Sequence, residues 1–462
     1  MADEKAASRP HTKTPRAGGS GEARSPGPAQ SGDPILALAE RLAAKGEQPA
    51  GAAADPVNVP MVRHWTQAMG DANPIYLDEE AARAAGHPGL VAPPAMAQVW
   101  TMRGLDTGGE PGGATELLAL LDELGYTGVV ATNCEHAYDR YLRPGETVRS
   151  TVRMGDVAGP KRTAMGEGYF VTWHTTWYVG EEWVATMLFR VLKFRPAGDG
   201  PSVRPAEPSR YPLRPTMNQD TAFFWAGAAA GELRIQRCAG CGTLRHPPGP
   251  MCPHCLATEW DYVRAEGRGE IESFVVHHHP PVPGRTSPFT VAVVALPEGV
   301  RVTGNVLGVS PDRVEVGMPV EVTYERVDAD LVLPQWRPRG APPSLEIPLD
   351  RTFIMATAIA TRDFTPVHHD PDVARAQGSR DVFVNILTSM GLVERYVTDW
   401  AGPAARVRAI ALRLGAPAYA GDTLTLTGAV TEEDGDERTV AVRGRDSLGD
   451  HVTATVRIGG RP

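Results

Sequence analysis

Apolar residues recur at helical spacing in a few stretches and at alternating spacing in many more, and the two patterns follow each other in the same order twice. Pro34 to Ala44 carries Ile35, Leu38, Ala39 and Leu42 three and four apart, which predicts an amphipathic helix. Pro60 opens a second helix through Met61, Val62 and Trp65, and Pro93-Pro94 precede what reads as a helix start, Ala95 to Trp100. Strand-like runs then come at Gly128 to Tyr138, Thr147 to Met154, Tyr169 to Tyr178 and Trp183 to Phe194. Near the other end, Thr352 to Thr361 is a short helix or buried run, and Val382 to Tyr396 a helix. Strands follow at Arg406 to Gly415, Thr423 to Val430, Thr439 to Asp446 and Val452 to Ile458. Helices followed by antiparallel strands predict an α+β fold, each sheet wrapped around a helix.

Between these units lie a helix from Asp220 to Ala230 and strand-like segments at 270–276, 289–296, 301–309 and 320–327, which suggest a small β-barrel. Proline-rich stretches read as linkers on either side. The expected map is a disordered tail over 1–32, a first unit over 33–197, a linker over 198–216, a middle unit over 217–333, a second linker over 334–344 and a last unit over 345–462.

The first and last units are copies of one another. Gly70-Asp71-Ala72-Asn73-Pro74-Ile75-Tyr76-Leu77-Asp78 aligns with Arg362-Asp363-Phe364-Thr365-Pro366-Val367-His368-His369-Asp370. The residues that follow match too, Glu79 to Gly86 against Pro371 to Gly378, and so does Arg143 to Val148 against Tyr419 to Leu424. Three matched segments in one order indicate a duplicated domain.

Composition narrows the field. A formal charge of −9 argues against a nucleic-acid surface or an anionic-membrane binder, and no apolar run approaches the 18 or so residues of a membrane span. The barrel segment lacks the basic, aromatic-interleaved run that single strands require. Four of the five cysteines form two C-x-x-C pairs, Cys238 with Cys241 and Cys252 with Cys255. That spacing closes a tetrahedral thiolate site with no open position, so a structural zinc is expected, in a reducing, cytoplasmic setting. Cys134 reads as packing.

Chemistry is expected at Asp363 and His368. Pro366 cannot continue a helix and pushes Thr365 towards an extended conformation, which leaves the carboxylate at a helix end and the imidazole on the next turn, facing one cavity. An aspartate beside an imidazole that exchanges protons near neutral pH suits water activation. In the first copy Tyr76 stands at the histidine's place, and a phenol with a pKa near 10 is a poor base. Asp71, Asn73 and Tyr76 are therefore expected to mark a degenerate site.

These motifs, with the strand-opening Ala420-Gly421-Asp422-Thr423, resemble the MaoC-like (R)-specific enoyl-CoA hydratase/dehydratase family of hotdog-fold proteins. The region 210–335 resembles the zinc-ribbon plus OB-fold family of acyl-CoA-associated proteins. The resemblance implies two hotdog domains flanking a zinc ribbon and an OB barrel, with Asp363 and His368 as the catalytic dyad. It implies backbone donors for the enolate oxygen among Val382 to Asn385, with Val384 and Asn385 the candidates, although Phe383-Val384-Asn385 stands where relatives often carry His-Gly. It also implies hydration of a CoA thioester, a bulky, steroid side-chain-like 2-enoyl-CoA, and docking of a thiolase-like lyase on the OB module. A homo-oligomer or heteromer is the expected assembly, and a non-enzymatic acyl-CoA scaffold for the thiolase is the alternative. The first copy would shape the acyl pocket; Arg143, Arg362, Arg380 and Arg413 are candidates for the CoA phosphates, with surface charge the commoner reading for each. His277 to His279 read as a solvated loop and His369 as an exposed bystander.

Overall fold

In the computed structural model, residues 33–105, 113–163, 165–195, 213–283, 285, 287–328 and 330–459 are described. The tail and most of the first linker fall outside them.

The two copies share one sheet. Its ten strands run in the order Gln48–Ala52, Val148–Thr163, Gly166–Val179, Glu182–Phe194, Gly128–Tyr138, Arg406–Leu414, Gly449–Gly459, Glu437–Asp446, Asp422–Asp434 and Leu345–Leu349. The seam lies at its middle, where Gly128–Tyr138 pairs antiparallel with Arg406–Leu414, Ala137 opposite Ala409 and Asn133 opposite Arg413. Alternation accounts for the strands: along Gly128–Tyr138, Cys134, His136 and Tyr138 are buried while Glu135 between them is exposed. Burial pushes the Cys134 thiol well above its ordinary range, so it behaves as packing.

Around this sheet the second copy keeps a full central helix, Ile386–Ala401, whose buried positions include Met390, Leu392, Val393 and Val397. It begins at Ile386, after the Asn385 N-cap and four residues later than the apolar pattern alone suggests. The first copy does not keep its counterpart. The expected helix over Ala95 to Trp100 is two 3-10 turns, Pro94–Ala97 and Val99–Thr101. A separate helix, Ala114–Glu123, buries Leu117 and Leu121. Pro94 sits in the first turn, where its missing N–H costs nothing, but neither turn carries a side-chain cap. One core runs through both copies, with Trp65, Met69, Tyr76 and Met96 packed in the same cluster as Met390, Val393 and Tyr396.

The middle unit has its own core, formed by Phe224, Ile235, Ile271, Val294, Val320 and Trp336. Its closed barrel runs Phe289–Ala295, Arg301–Val306, Leu331–Pro338, Pro319–Asp328 and Arg268–His277. The first five residues of the expected second linker, 334–338, thus belong to the strand that closes the barrel. Leu331, Val332, Gln335 and Trp336 are buried there, and Pro334 and Pro338 pair opposite Tyr324 and Val320. Proline content concealed that strand; burial of its other residues holds it in the ladder. The His277 ring is tied locally, its Nε2 donating to the Pro280 carbonyl oxygen at 2.6 Å.

Candidate active site

The helix Arg351–Ala360 is capped by Asp350, whose carboxylate accepts from the Phe353 amide at 2.7 Å, and it ends at Thr361. Arg362 then turns the chain with φ at 56°, where the first copy has Gly70 at 64°. A left-handed arginine is a strained conformation that a glycine adopts freely. The chain pivots there to present Asp363, and Pro366–His368 forms a single 3-10 turn. Asp370 caps the next helix by accepting from the Asp372 and Val373 amides, as Asp78 does for Glu80 and Ala81 in the first copy.

Asp363 and His368 face each other, with Oδ2 3.6 Å from Nε2, slightly beyond direct hydrogen bonding. The other carboxylate oxygen, Oδ1, accepts from the Thr365 hydroxyl at 2.7 Å and from the Thr365 amide at 3.2 Å. His368 is buried, and its Nδ1 lies 2.8 Å from the Phe383 carbonyl oxygen. Because a carbonyl only accepts, Nδ1 carries the proton and Nε2 keeps its lone pair, aimed at the carboxylate side of the cleft. Burial lowers the His368 pKa against the opposing pull of Asp363, which keeps the ring neutral and basic near neutral pH. The Phe383 ring closes one side, edge-on to His368 with centroids 4.7 Å apart.

His369 is not the exposed bystander expected. It is half-buried, its Nε2 donates to the Asp363 carbonyl oxygen at 2.7 Å, and it stacks on Phe364. Thr365 and His369 thus fix the side chain and the backbone of Asp363. The spacing of Thr365 to Asp363 is a turn signature legible in sequence; nothing local signals His369.

Of the two expected oxyanion donors, Val384 is already engaged, since its amide donates to the Ala418 carbonyl at 3.0 Å inside the fold. Asn385 is the N-cap: its Oδ1 accepts from the Thr388 amide at 2.7 Å and its Nδ2 donates to Thr361 Oγ1 at 2.9 Å. Among the described residues the amides of Asn385, Ile386 and Leu387, where the central helix begins, donate to no acceptor. The helix dipole adds positive potential at that end.

The matching residues of the first copy are buried. Asp71 accepts from the Asn73 amide at 2.9 Å, and the Tyr76 hydroxyl donates to Glu394 Oε1 at 3.0 Å. Glu394 comes from the central helix of the other copy, and its Oε2 accepts from the Ala95 amide at 2.6 Å. Tyr76 is fully buried, and burial raises Glu394 to about 8 and Asp71 to about 6. An isolated acid on the buried face of an apolar helix, one turn after Met390, was the signal for Glu394 in the sequence.

An open cleft reaches the residue before Asp363. Trp100, Thr101, Met102 and Arg103 of the first copy wall a cleft of about 270 Å³ together with Arg362, which makes no ion pair with any described residue.

In the middle unit, the sulfurs of Cys238, Cys241, Cys252 and Cys255 all lie within 4.8 Å of one another, with Cys238 and Cys255 at 3.5 Å and Cys241 and Cys252 at 3.7 Å. Tetrahedral zinc with bonds of about 2.3 Å requires sulfur separations of about 3.8 Å. The four thiols fit a metal.

A double hotdog with an Asp–His pair anchored through Phe383, two residues ahead of the Asn385 N-cap, fits a hydratase of the MaoC type. Comparison with known proteins agrees along the chain. Residues 43–187 match the FAS1-like dehydratase domain region, 225–261 the ChsH2 rubredoxin-like zinc ribbon domain, 262–325 the ChsH2 C-terminal OB-fold domain and 337–450 the MaoC like domain. The chain is 52% identical over 304 residues to the 3-oxo-4,17-pregnadiene-20-carboxyl-CoA hydratase alpha subunit of Mycobacterium tuberculosis, covering 64% of this chain and 96% of that one. It is 61% identical over 116 residues to the beta subunit of the same name and organism, covering 25% of this chain and 90% of that one. Among solved structures, the one described as Ltp2-ChsH2(DUF35) aldolase is 50% identical, covering 27% of this chain and 98% of that one, with a TM-score of 0.27. The chain belongs to the MaoC-like enoyl-CoA hydratase family that carries a ChsH2-type zinc ribbon and OB fold, and it is a hydro-lyase.

Proposed function

We propose that Asp363 and His368 add water across the double bond of a bulky, steroid side-chain-like 2-enoyl-CoA. The observation that carries this is the orientation of the pair: one imidazole lone pair and one free carboxylate oxygen, 3.6 Å apart, address the same point. A water held between them gives its hydroxyl to C3 of the enoyl group, and the proton it loses passes through the pair to C2. The thioester oxygen becomes an enolate oxygen as C3 is attacked, and the amides of Ile386 and Leu387 are the proposed donors to it. Each step runs backwards as dehydration.

The cleft walled by Trp100 to Arg103 is the proposed place of the acyl group. It lies where the first copy's central helix has shrunk to two 3-10 turns, so the first copy contributes space and wall while the second supplies chemistry. Similarity to both an alpha and a beta subunit supports reading the chain as the two joined, with the ribbon and barrel part of the alpha-like portion. The four cysteines would hold a structural zinc, which fixes the ribbon and takes no part in the reaction. The ribbon–barrel unit has a core of its own and contributes nothing to the dyad. We read it as the docking module for a thiolase-like lyase that cleaves the β-hydroxyacyl product in the cytoplasm.

A panel of short, long and steroid-bearing 2-enoyl-CoA thioesters, followed by loss of the enoyl absorbance, tests the reading. Hydration should be greatest on the bulky thioesters and vanish in Asp363→Asn and His368→Ala, with binding to a co-expressed lyase retained. Undiminished hydration by either variant would overturn it.

A further inference from the structure

We infer that Glu394 is a built-in occupant of the first copy's vacated thioester site, so that the chain carries two such sites and holds one of them shut. The inference rests on the reading of the live site given above and extends it to the other copy.

The duplication supplies the argument. Asp71 and Ala95 stand as far apart in the first copy as Asp363 and Leu387 do in the second, and each amide lies in the first turn of its helical element, Pro94–Ala97 and Ile386–Ala401. The Leu387 amide has no acceptor among the described residues, whereas the Ala95 amide donates to a carboxyl oxygen of Glu394 at 2.6 Å. The second oxygen of that group accepts from Tyr76, the residue at the position of the live site's imidazole. A carboxyl group resembles a thioester in shape: a carbonyl flanked by a second heteroatom on a planar carbon. Glu394 therefore stands where a thioester would lie between an oxyanion amide and the base.

The closure is one-sided. Met102 of the first copy holds the place that Glu394 holds in the second, but the helix that would carry it has ended at Thr101. Met102 instead lines the open cleft beside Arg362. Arg395, next to Glu394, reinforces the closed side: its guanidinium donates to the Met69 carbonyl at 2.8 Å and fills the space over Gly70 that a Cβ would need. An acidic side chain buried to 1% exposure is expensive to keep unless something holds it, and both of its oxygens are held by the first copy's site.

Calorimetric titration of the full-length protein with octanoyl-CoA, a saturated thioester that cannot be hydrated, tests this by counting sites. The wild type should bind one per chain. Glu394→Ala should bind two, the second more weakly, with hydration at the live site unchanged. Glu394→Met, which installs the residue of the open copy, replaces the alanine variant should that fail to fold. Glu394→Gln, which keeps shape and acceptor, should still bind one. A count of one in a folded alanine or methionine variant overturns the closure, as does a count of two in the wild type. Failure of both variants to fold while Glu394→Gln folds overturns it as well, by making the residue a structural brace. No hydration in the wild type would defeat the parent reading alone, because a site gained on removing Glu394 would still count as closure.

Discussion

The Nδ1 of His368 donates to the Phe383 carbonyl oxygen at 2.8 Å, and this contact leaves Nε2 as the only basic nitrogen turned towards Asp363. Loss of either member should cost at least about a hundredfold in kcat/KM, the lower range for a positioned acid–base group. The pH profile carries the sharper information. Burial lowers the His368 pKa and Asp363 partly restores it. The neutral ring is the active form, so activity should fall on acidification, with the acid limb below the ordinary imidazole value of 6.5. Asp363→Asn removes the group that holds the pKa up, and any residual activity should show a limb shifted further to acid. Rate profiles on both proteins check the order.

Thr365 makes the second prediction. Its hydroxyl donates to Asp363 Oδ1 at 2.7 Å and leaves Oδ2 for the cleft. Thr365→Ala frees the carboxylate to rotate and should reduce kcat/KM by roughly tenfold, the equivalent of about 1.4 kcal/mol, a usual value for one such bond. Thr365→Ser restores the hydroxyl and should restore the rate. Equal rates in all three would remove Thr365 from the site.

Much of this arrangement was legible in the chain. The Asp-x4-His spacing, the proline between them and the degenerate copy at Tyr76 each reflect local backbone chemistry, and they mark the site's position. Four cysteines on two knuckles mark a candidate metal site in the same way. What stayed hidden depends on contacts far apart in sequence. The reach of Glu394 across to Tyr76 and Ala95 joins two copies that only the folded sheet brings together. The strand Leu331–Pro338 was concealed because its prolines outweighed its buried Leu331, Val332 and Trp336. Val384 as an oxyanion donor failed for a similar reason, since its amide is spent on Ala418, more than thirty residues on.

Gly391 tests whether the two copies fold as one. It faces the first copy from the central helix, and a Cβ there would come within 2.7 Å of Trp65 Cζ2 and 3.2 Å of the Met69 methyl carbon. Both neighbours are buried and cannot retreat into solvent. Gly391→Ala should therefore destabilise the protein by about 1–3 kcal/mol through overpacking, despite alanine's better helix propensity. Thermal unfolding should show one lowered transition for the hotdog pair. A variant more stable than the wild type would mean that the helix and Trp65 are not in close contact.

The four thiols predict one zinc per chain and a division of effects on its removal. Their sulfur separations suit a tetrahedral ion, and the ribbon around them has only short strands, Arg234–Cys238, Leu244–Arg245 and Trp260–Arg264, to hold it together. Chelation, or Cys252→Ser, should unfold the ribbon and weaken lyase docking, while hydration persists. Metal analysis together with the two assays measures this. Loss of hydration in parallel with zinc would tie the ribbon to the dyad.

Glu394 sets a pH dependence of stability whose direction can be worked out. Burial raises its folded pKa from 4.5 to about 8, while Asp71 nearby adds to the rise and the donors Ala95 and Tyr76 oppose it. A raised carboxyl means that the folded protein keeps a proton which the unfolded chain releases near 4.5. Its contribution is therefore fully present below that value and is lost progressively as the pH climbs through about 8. Asp71, raised from 3.8 to about 6, acts in the same sense over a lower window. Glu394→Gln fixes the neutral form at every pH. Subtracting one unfolding curve from the other cancels the groups the two proteins share. The variant should gain stability relative to the wild type steadily from about pH 5 to about pH 8, as the wild type alone loses its bound proton. A difference that stays constant across that window would mean that the buried carboxyl is already ionised, held as an anion by the Ala95 amide and the Tyr76 hydroxyl.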